Sequence, residues 1–254
     1  MNDRNAVLVI AGSDSSGGAG VTRDIRVLTE CGVDALCAIT AVTAQTNAKT
    51  GGIHPVPAAS IKDQIAAAFA TRTIDAIKVG MLGTATTVEA VAASLPESMP
   101  PMVIDPVLAA SSGGVLLDTD GVEAMRQLLL PRTTLFTPNI PEAAALLNEP
   151  PADDVTTMIE QAQRLLRMGP RAVLLKGGHA VGAEAIDVLV SDDGGSLILA
   201  SPRSTLQRRG TGCAFASAAA AALARGANIS DACRAGKRYI VDWFGTPAAA
   251  TNVS

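Results

Sequence analysis

Short apolar runs alternate with segments of helical periodicity along nearly all of the 254 residues, and this alternation restricts the possible folds more than any other feature. The first run, Ala6–Ala11, is apolar on both faces. Strands of this kind, separated by helices of about three turns, are typical of a mostly parallel sheet covered on both sides. We therefore predict an α/β chain with three layers, α/β/α.

The remaining segments fit this architecture. Two late runs, Ala185–Val190 and Ser196–Ala200, are joined by Asp192-Asp193-Gly194-Gly195 and predict an antiparallel hairpin. No linker divides the sequence, so we predict a single domain, 1–254, with a short tail at 245–254. The other predicted strands are Ala35–Ala41, Ile74–Val79, Met102–Ile104, Leu135–Thr137 and Ala172–Lys176. The predicted helices are Val21–Cys31, Ala58–Ala70, Thr84–Ser94, Gly121–Leu130, Pro141–Leu147, Val155–Met168, Gly212–Arg225 and Ile229–Trp243.

Composition excludes several classes of function. Hydrophobic residues make up 48% of the chain, yet six residues are aromatic, so we expect an aliphatic core. A net charge of −4 argues against a general affinity for nucleic acid or anionic lipid. No uncharged run reaches the roughly 18 residues of a membrane span, and we expect a cytoplasmic protein. The four cysteines form no CxxC pair, which disfavours a structural zinc site or a disulfide framework.

Two glycine-rich segments are candidates for ligand binding. Gly12–Gly20 follows the first strand, where small residues allow a ligand close to the backbone, although a tight strand-to-helix turn explains the composition equally well. Gly210-Thr211-Gly212-Cys213 opens a long alanine-rich helix, whose unpaired N–H groups would attract an anion. The same field is expected to lower the pKa of the Cys213 thiol, unless the cysteine is incidental packing.

Charged residues follow several of the later strands. Lys176 comes before Gly177-Gly178-His179 at a strand end and could reach a nucleotide phosphate, although a surface lysine at a turn is the plainer interpretation. Asp105 follows another strand, and Asn139 and Glu142 precede a helix. Oxygen ligands at neighbouring strand ends suit Mg²⁺, while helix capping also explains Asn139 and Glu142.

Together these segments resemble the hydroxymethylpyrimidine (phosphate) kinases of thiamin biosynthesis, from about residue 6 to about residue 240. Eight landmarks occur in the expected order. They are Ile10–Asp14, Ser16–Gly20, Ile39–Gln45, Lys78–Leu82, Asp105–Val107 with Ser112-Gly113, Thr137–Glu142, Lys176–His179 and Gly210–Cys213.

The resemblance implies a ribokinase-like fold, ATP with Mg²⁺ as the phosphoryl donor, a pyrimidine alcohol as acceptor and a homodimer. It implies that Gln45 reads the amino edge of the pyrimidine and that Gly12, Ala19, Asp24, Met81 and Val107 line the same pocket. It places Asp105 and Glu142 around Mg²⁺ and Lys176 and Asn139 at the nucleotide. It implies that the turn of Gly210, Thr211, Gly212 and Cys213 stabilises the charge that develops on the transferred phosphoryl group. It also implies that Cys213 acts as a base beside the reacting oxygen.

The chain departs from the family pattern around the acceptor. Ser15 replaces a proline, Thr22–Arg26 and Thr46-Asn47 differ, Arg209 replaces a histidine, and Thr246–Ser254 lacks the usual tail. These changes concern the substrate range, including use of the monophosphate.

Two other functions are alternatives to a hydroxymethylpyrimidine kinase. One is a pyridoxal or pyridoxine kinase, and the other is a non-catalytic pyrimidine-binding protein. From their composition, Thr46–Ile53 and Ser201–Arg209 are candidate closing loops.

Overall fold

The computed structural model describes residues 4–46, 50–109, 114–178, 183–206 and 208–245. Their strands are β1 (Ala6–Asp14), β2 (Asp34–Gln45), β3 (Thr50–Pro55), β4 (Ala76–Val79), β5 (Met102–Ile104), β6 (Leu135–Phe136), β7 (Ala172–Lys176), β8 (Glu184–Ser191) and β9 (Ser196–Pro202). The helices are α1 (Gly20–Glu30), α2 (Ala58–Thr71), α3 (Ala85–Ser94), α4 (Thr119–Leu128), α5 (Ile140–Leu147), α6 (Val155–Leu166), α7 (Thr211–Ala224) and α8 (Ile229–Gly245).

The described strands form a single sheet in the order β3-β2-β1-β4-β5-β6-β7-β8-β9. Strands β2, β1, β4, β5, β6 and β7 are parallel, whereas β3, β8 and β9 pair antiparallel with their neighbours. The mostly parallel sheet and the predicted β8–β9 hairpin are thus confirmed. Among the described helices, none is both long and apolar enough to cross a membrane.

Two hydrophobic cores lie on opposite faces of the sheet. In β1, Leu8 and Ile10 pack into one core and Val7 and Val9 into the other, since successive side chains of a strand point to opposite faces. The first core holds side chains of α2, α3, α4, α5 and α6, and the second those of α1, α7 and α8. This arrangement confirms the three-layer α/β/α prediction.

Helix α7 is enclosed by protein along most of its length. Every residue from Ala214 to Ala224 is buried, and eight of these eleven are alanine. On the neighbouring α8, a Cβ added to Gly236 would lie 2.9 Å from the ring of Phe215. Small side chains on both helices therefore allow α7 to sit close to its neighbours, with its first residues at the carboxyl ends of the central strands.

The order of the strands reverses at β1. The chain continues from β1 to β2 on one side and later returns to β4 on the other side. Open α/β sheets bind ligands in the crevice at such a reversal, outside the carboxyl ends of the strands. Residues that follow β1 and β4 are therefore placed to meet a common ligand.

Near the predicted acceptor pocket, two strands extend beyond their predicted ends and one strand was not predicted. Strand β1 continues through Gly12 to Asp14, so the first part of the glycine-rich segment is strand. Strand β2 extends to Gln45, and β3 was not predicted at all. The extension of β2 and the formation of β3 both result from the pairing of these two strands, in which Val42 and Thr43 align with His54 and Ile53. Local sequence patterns do not reveal such a partner.

Candidate active site

The first loop is held in shape by Asp14. Its carboxylate, which is 3% exposed, accepts hydrogen bonds from the backbone N–H groups of Ser16 at 2.8 Å and Ala19 at 3.1 Å. Gly20 opens α1 with φ of +61°, and a Cβ there would collide with the carbonyl oxygen of Gly12. The loop thus folds back onto the end of β1, as expected of a segment that brings backbone close to a ligand.

Strand ends β1 and β4 meet at Gly12 and Met81. A Cβ on Gly12 would lie 2.9 Å from the sulfur of Met81. Met81 belongs to a small apolar cluster against which Val107 packs. Val107 has φ of +46°, a left-handed conformation that is strained for a β-branched residue. Three residues predicted to line the acceptor pocket are therefore neighbours.

Gln45 lies at the end of β2, partly exposed beside the first loop. Its side-chain Nε2 donates to Thr43 Oγ1 at 2.8 Å, and its Oε1 accepts from Arg209 at 2.6 Å. Arg209 also donates to Ser16 Oγ and to the carbonyl oxygen of Thr46. The sequence prediction marked Arg209 as a departure from the family pattern and did not anticipate these contacts.

Asp24 is placed differently from its predicted role in the acceptor pocket. Its side chain is fully buried, where it accepts from Lys78 Nζ at 2.8 Å and from Ser217 Oγ at 2.8 Å. Burial raises the pKa of Asp24, although Lys78 opposes that rise. In this structure Asp24 has no exposed atom to offer a ligand, and it links α1 to β4 and α7 instead.

The turn before α7 is packed against the first loop. Gly210 has φ of +75°, and a Cβ there would collide with the carbonyl oxygen of Gly18 and approach Ala19. The N-cap position is Gly210, and no side chain caps the helix start at Thr211. Substituting a larger residue at Gly210 would therefore push the helix N-terminus away from the loop.

Gly212 faces the charged pair of Lys176 and Asp105. A Cβ on Gly212 would lie 3.0 Å from Lys176 Nζ and 3.1 Å from Asp105 Oδ2. Lys176 donates to Asp105 Oδ1 at 2.7 Å, and their side chains are 14% and 5% exposed. The start of α7, with its N–H groups and positive dipole end, thus adjoins a lysine at the sheet edge.

Asn139 and Glu142 form a capping box at the start of α5. Asn139 Oδ1 accepts from the Glu142 backbone N–H and Glu142 Oε2 accepts from the Asn139 N–H, both at 2.8 Å. Burial raises the pKa of Glu142, Lys176 opposes the rise and Asp105 adds to it. Burial alone would lower the pKa of Lys176, but Asp105 and Glu142 outweigh it and raise that pKa. The three charged groups therefore share one environment.

The predicted lowering of the Cys213 pKa is wrong. Burial raises the pKa of the thiol to about 11, although Lys78 opposes the shift. Loss of hydration disfavours the thiolate more than the nearby charge and the helix start favour it. With that pKa, Cys213 is a protonated thiol at neutral pH.

Most of the predicted site residues converge on one edge of the sheet. The acceptor-side group is Gly12, Ala19, Gln45, Met81 and Val107, and the phosphate-side group is Asp105, Asn139, Glu142, Lys176, Gly210, Thr211, Gly212 and Cys213. Ser112-Gly113 and His179 lie outside the described residues, as do Asn47 and the tail Thr246–Ser254. The contacts of Lys78 with Asp24 and of Arg209 with Gln45 were not predicted, because no local pattern in the sequence signals these distant partners.

A model of the phosphomethylpyrimidine kinase family matches residues 14–250. The chain belongs to this family. A thiamine biosynthesis bifunctional protein of Geobacter sulfurreducens is 43% identical over 240 residues, which cover 93% of this chain and 48% of that protein, so the chain spans about half the length of that relative. A hydroxymethylpyrimidine/phosphomethylpyrimidine kinase of Rhizobium meliloti is 38% identical over 92% of this chain and 88% of its own length.

A solved structure shares the fold. Bacillus subtilis pyridoxal kinase, determined as an ADP complex, superposes with a TM-score of 0.86 and 32% identity over 93% of this chain and 90% of that one. The predicted ribokinase-like fold and the assignment as a phosphotransferase that uses ATP are confirmed by this family membership. Pyridoxal kinase is a neighbour in fold, whereas the relative from Rhizobium meliloti is named as a kinase of hydroxymethylpyrimidine and phosphomethylpyrimidine.

Proposed function

We propose that this chain transfers the γ-phosphoryl group of ATP to the hydroxymethyl oxygen of 4-amino-5-hydroxymethyl-2-methylpyrimidine, and then to the resulting monophosphate. The family and its relatives' names support the pyrimidine as acceptor. The observation that carries the proposal is the contact between the Gly212 turn and the Lys176–Asp105 pair, beside the loop that holds Ala19. A phosphate site and an acceptor pocket then adjoin.

The residues at the phosphate side fit Mg²⁺. Asp105 and Glu142 are carboxylates close enough for Asp105 to raise the pKa of Glu142, and a divalent cation would relieve this repulsion. Hard oxygen ligands in small number suit Mg²⁺, which keeps several of its waters. When bound, the ion would neutralise charge on the phosphates of ATP. We propose Asp105 and Glu142 as its protein ligands, directly or through water.

The chain's own groups then act by position and charge. Lys176 supplies a cation to the ATP phosphates, with Asn139 beside it in a parallel bridge. The N–H groups of Thr211, Gly212 and Cys213 at the start of α7 stabilise the charge on the transferred phosphoryl group. Because phosphoryl transfer depends mainly on alignment, we assign the Cys213 thiol the task of orienting the hydroxymethyl oxygen.

We also propose a cytoplasmic homodimer. The dimer is supported by Val42 of β2, an apolar side chain that is 51% exposed next to the edge strand β3 and that a second copy of the chain could cover. The cytoplasm is supported by the four cysteines, which are all free, as is usual in reducing compartments. Light scattering on the purified protein should give twice the chain mass of 25.7 kDa. A mass of one chain at micromolar concentration would contradict the dimer.

The test of function is product analysis by mass spectrometry after incubation with ATP, Mg²⁺ and the pyrimidine alcohol. A monophosphate followed by a diphosphate is expected. Phosphorylation of pyridoxal alone would favour the second enzyme candidate, whose fold neighbour is described above. Binding of the pyrimidine without ATP consumption would favour the non-catalytic alternative.

A further inference from the structure

Arg209 joins three segments at the acceptor side of the site. Its Nη1 donates to Ser16 Oγ at 3.0 Å and to the Thr46 carbonyl oxygen at 2.8 Å. Its Nη2 donates to Gln45 Oε1 at 2.6 Å and lies 3.3 Å from Asp14 Oδ2. The guanidinium therefore reaches from the residue before the Gly210 turn to the first loop and to the end of β2.

The guanidinium is anchored independently of Gln45. Asp14 is nearly inaccessible and is itself held by the first loop, so it provides a fixed countercharge for Arg209. Two further acceptors hold the other side of the guanidinium. Gln45 is partly exposed, so its side-chain amide can meet a ligand while it remains bound to Arg209.

Hydrogen-bond chemistry fixes the orientation of the Gln45 amide. Thr43 Oγ1 donates its single hydrogen to the Ser13 carbonyl oxygen at 2.9 Å, so it can only accept from Gln45. Arg209 can only donate, because a guanidinium has no acceptor. The NH₂ group of Gln45 must therefore face Thr43 and its oxygen must face Arg209. A flipped amide would set oxygen against oxygen and NH₂ against a cation.

This orientation has a consequence for the acceptor. The Gln45 amide retains one N–H and one oxygen lone pair for a ligand, in a fixed order. A 4-aminopyrimidine presents an N–H donor beside a ring-nitrogen acceptor, and its 4-oxo analogue presents the two in reverse. The analogue would need the flipped amide, which Arg209 opposes.

We propose that Arg209 is a specificity-determining positioning residue, which acts through Gln45 to select a 4-amino over a 4-oxo pyrimidine alcohol. The inference rests on the proposed function, since it concerns the same acceptor pocket. The hydrogen bonds of Arg209 go to Gln45, to Thr46 and to the first loop, which lie on the acceptor side of the site, so we assign its effect to acceptor binding.

The test compares kcat/KM for the 4-amino alcohol and its 4-oxo analogue in the wild type and in Arg209→Met. We expect the wild type to prefer the amino compound by at least about 100-fold, because a site built to hydrogen-bond one pattern rejects the other. In Arg209→Met the preference should fall by about tenfold, the worth of one hydrogen bond to a charged group, mostly through KM. Arg209→Lys should restore part of it.

Arg208→Met is the matched control, since the neighbouring guanidinium stacks 5.3 Å from the centroid of the Trp243 ring. It should leave the preference unchanged. If Arg209→Met lowers activity toward both compounds equally, or leaves the ratio intact, Arg209 is merely structural and the inference fails. Should Arg209→Met fail to fold, Arg209→Gln gives the same readout.

Calorimetric binding of both pyrimidines without ATP separates this inference from the proposed function. If the wild type binds with the expected preference, which Arg209→Met reduces, yet forms no phosphorylated product, the proposed reaction fails and the role of Arg209 stands. A wild type that phosphorylates both compounds equally well retains the kinase and overturns the inference. Binding of neither compound contradicts both.

Discussion

Two lysine–aspartate pairs of nearly equal length lie near the start of α7, and they differ mainly in their access to solvent. Lys78 and Asp24 are 2.8 Å apart with both side chains at 0% exposure. Lys176 and Asp105 are 2.7 Å apart, at 14% and 5%. In the first pair, Asp24 also accepts a hydrogen bond from Ser217, whereas the second pair faces Gly212 at the carboxyl ends of the strands.

This difference separates a pair that supports the fold from one that can act on a ligand. A fully enclosed pair has already exchanged water for its partners, and either charge left alone would be costly. A pair at the edge can be approached by phosphate oxygens and Mg²⁺ without unfolding its surroundings. The same two side-chain types therefore serve different purposes according to their depth.

Lys78→Met should produce the largest change in stability. The substitution leaves the Asp24 carboxylate buried without its cation, and we expect the free energy of unfolding to fall by about 3–5 kcal/mol. Equilibrium unfolding in urea measures this. The double variant Lys78→Met with Asp24→Leu, which removes both charges, should recover most of the loss. Equal losses in the single and double variants would contradict an ion pair that matters for stability.

Lys176→Met should instead affect catalysis. We expect kcat to fall about 100-fold, because the cation that meets the ATP phosphates is lost, while the free energy of unfolding changes by less than about 2 kcal/mol. Steady-state kinetics and urea unfolding provide the two values. Lys237→Met is a matched control, since Lys237 is 12% exposed and pairs with Asp187 at 2.8 Å. If both variants lose kcat equally, the assignment of Lys176 to the phosphates is wrong.

The smallest effect is expected at Cys213, which is influenced by both pairs. With a thiol pKa of about 11, raised chiefly by burial, the alkylation rate of Cys213 should rise about tenfold per pH unit between pH 8 and 10. Peptide mass spectrometry distinguishes this thiol from the other three. At each pH the alkylation rate of Cys213 should be lower in Lys78→Met than in the wild type, because Lys78 is the cation that favours the thiolate.

Turnover provides the matching test of the Cys213 role. Cys213→Ala should keep kcat within about tenfold, while Gly212→Val, which forces a side chain onto the Lys176–Asp105 pair, should abolish it. A plateau of the alkylation rate below pH 9, or a loss of kcat in Cys213→Ala as large as in Gly212→Val, would restore the cysteine as a base.

The layered fold could be predicted because it follows from local patterns. Runs such as Val7–Ile10 are apolar on both faces, and the two cores divide their side chains as the pattern requires. Strand β3 could not be predicted, since Gly51, Gly52 and Pro55 have low strand propensity and the strand exists through pairing with β2.

Within the site, the sequence predicted the positions better than the electrostatics. The Gly210–Cys213 turn, Lys176 and Asp105 come together as expected. The pKa of Cys213 was predicted in the wrong direction, because desolvation depends on the whole surroundings and the sequence shows only the helix start. The contact of Lys78 with Asp24 joins residues 54 positions apart, which no local spacing indicates.

The buried alanine face of α7 has a consequence for how the chain tolerates change. Because Ala214–Ala224 is enclosed throughout, a larger side chain there must displace the helix as a rigid rod. The displacement would carry the Gly210–Cys213 turn with it, so reaction geometry is set partly by side-chain volume several turns away from any ligand. Apart from Ser217, whose hydroxyl donates to Asp24, variation in this helix should be limited by size rather than by chemistry.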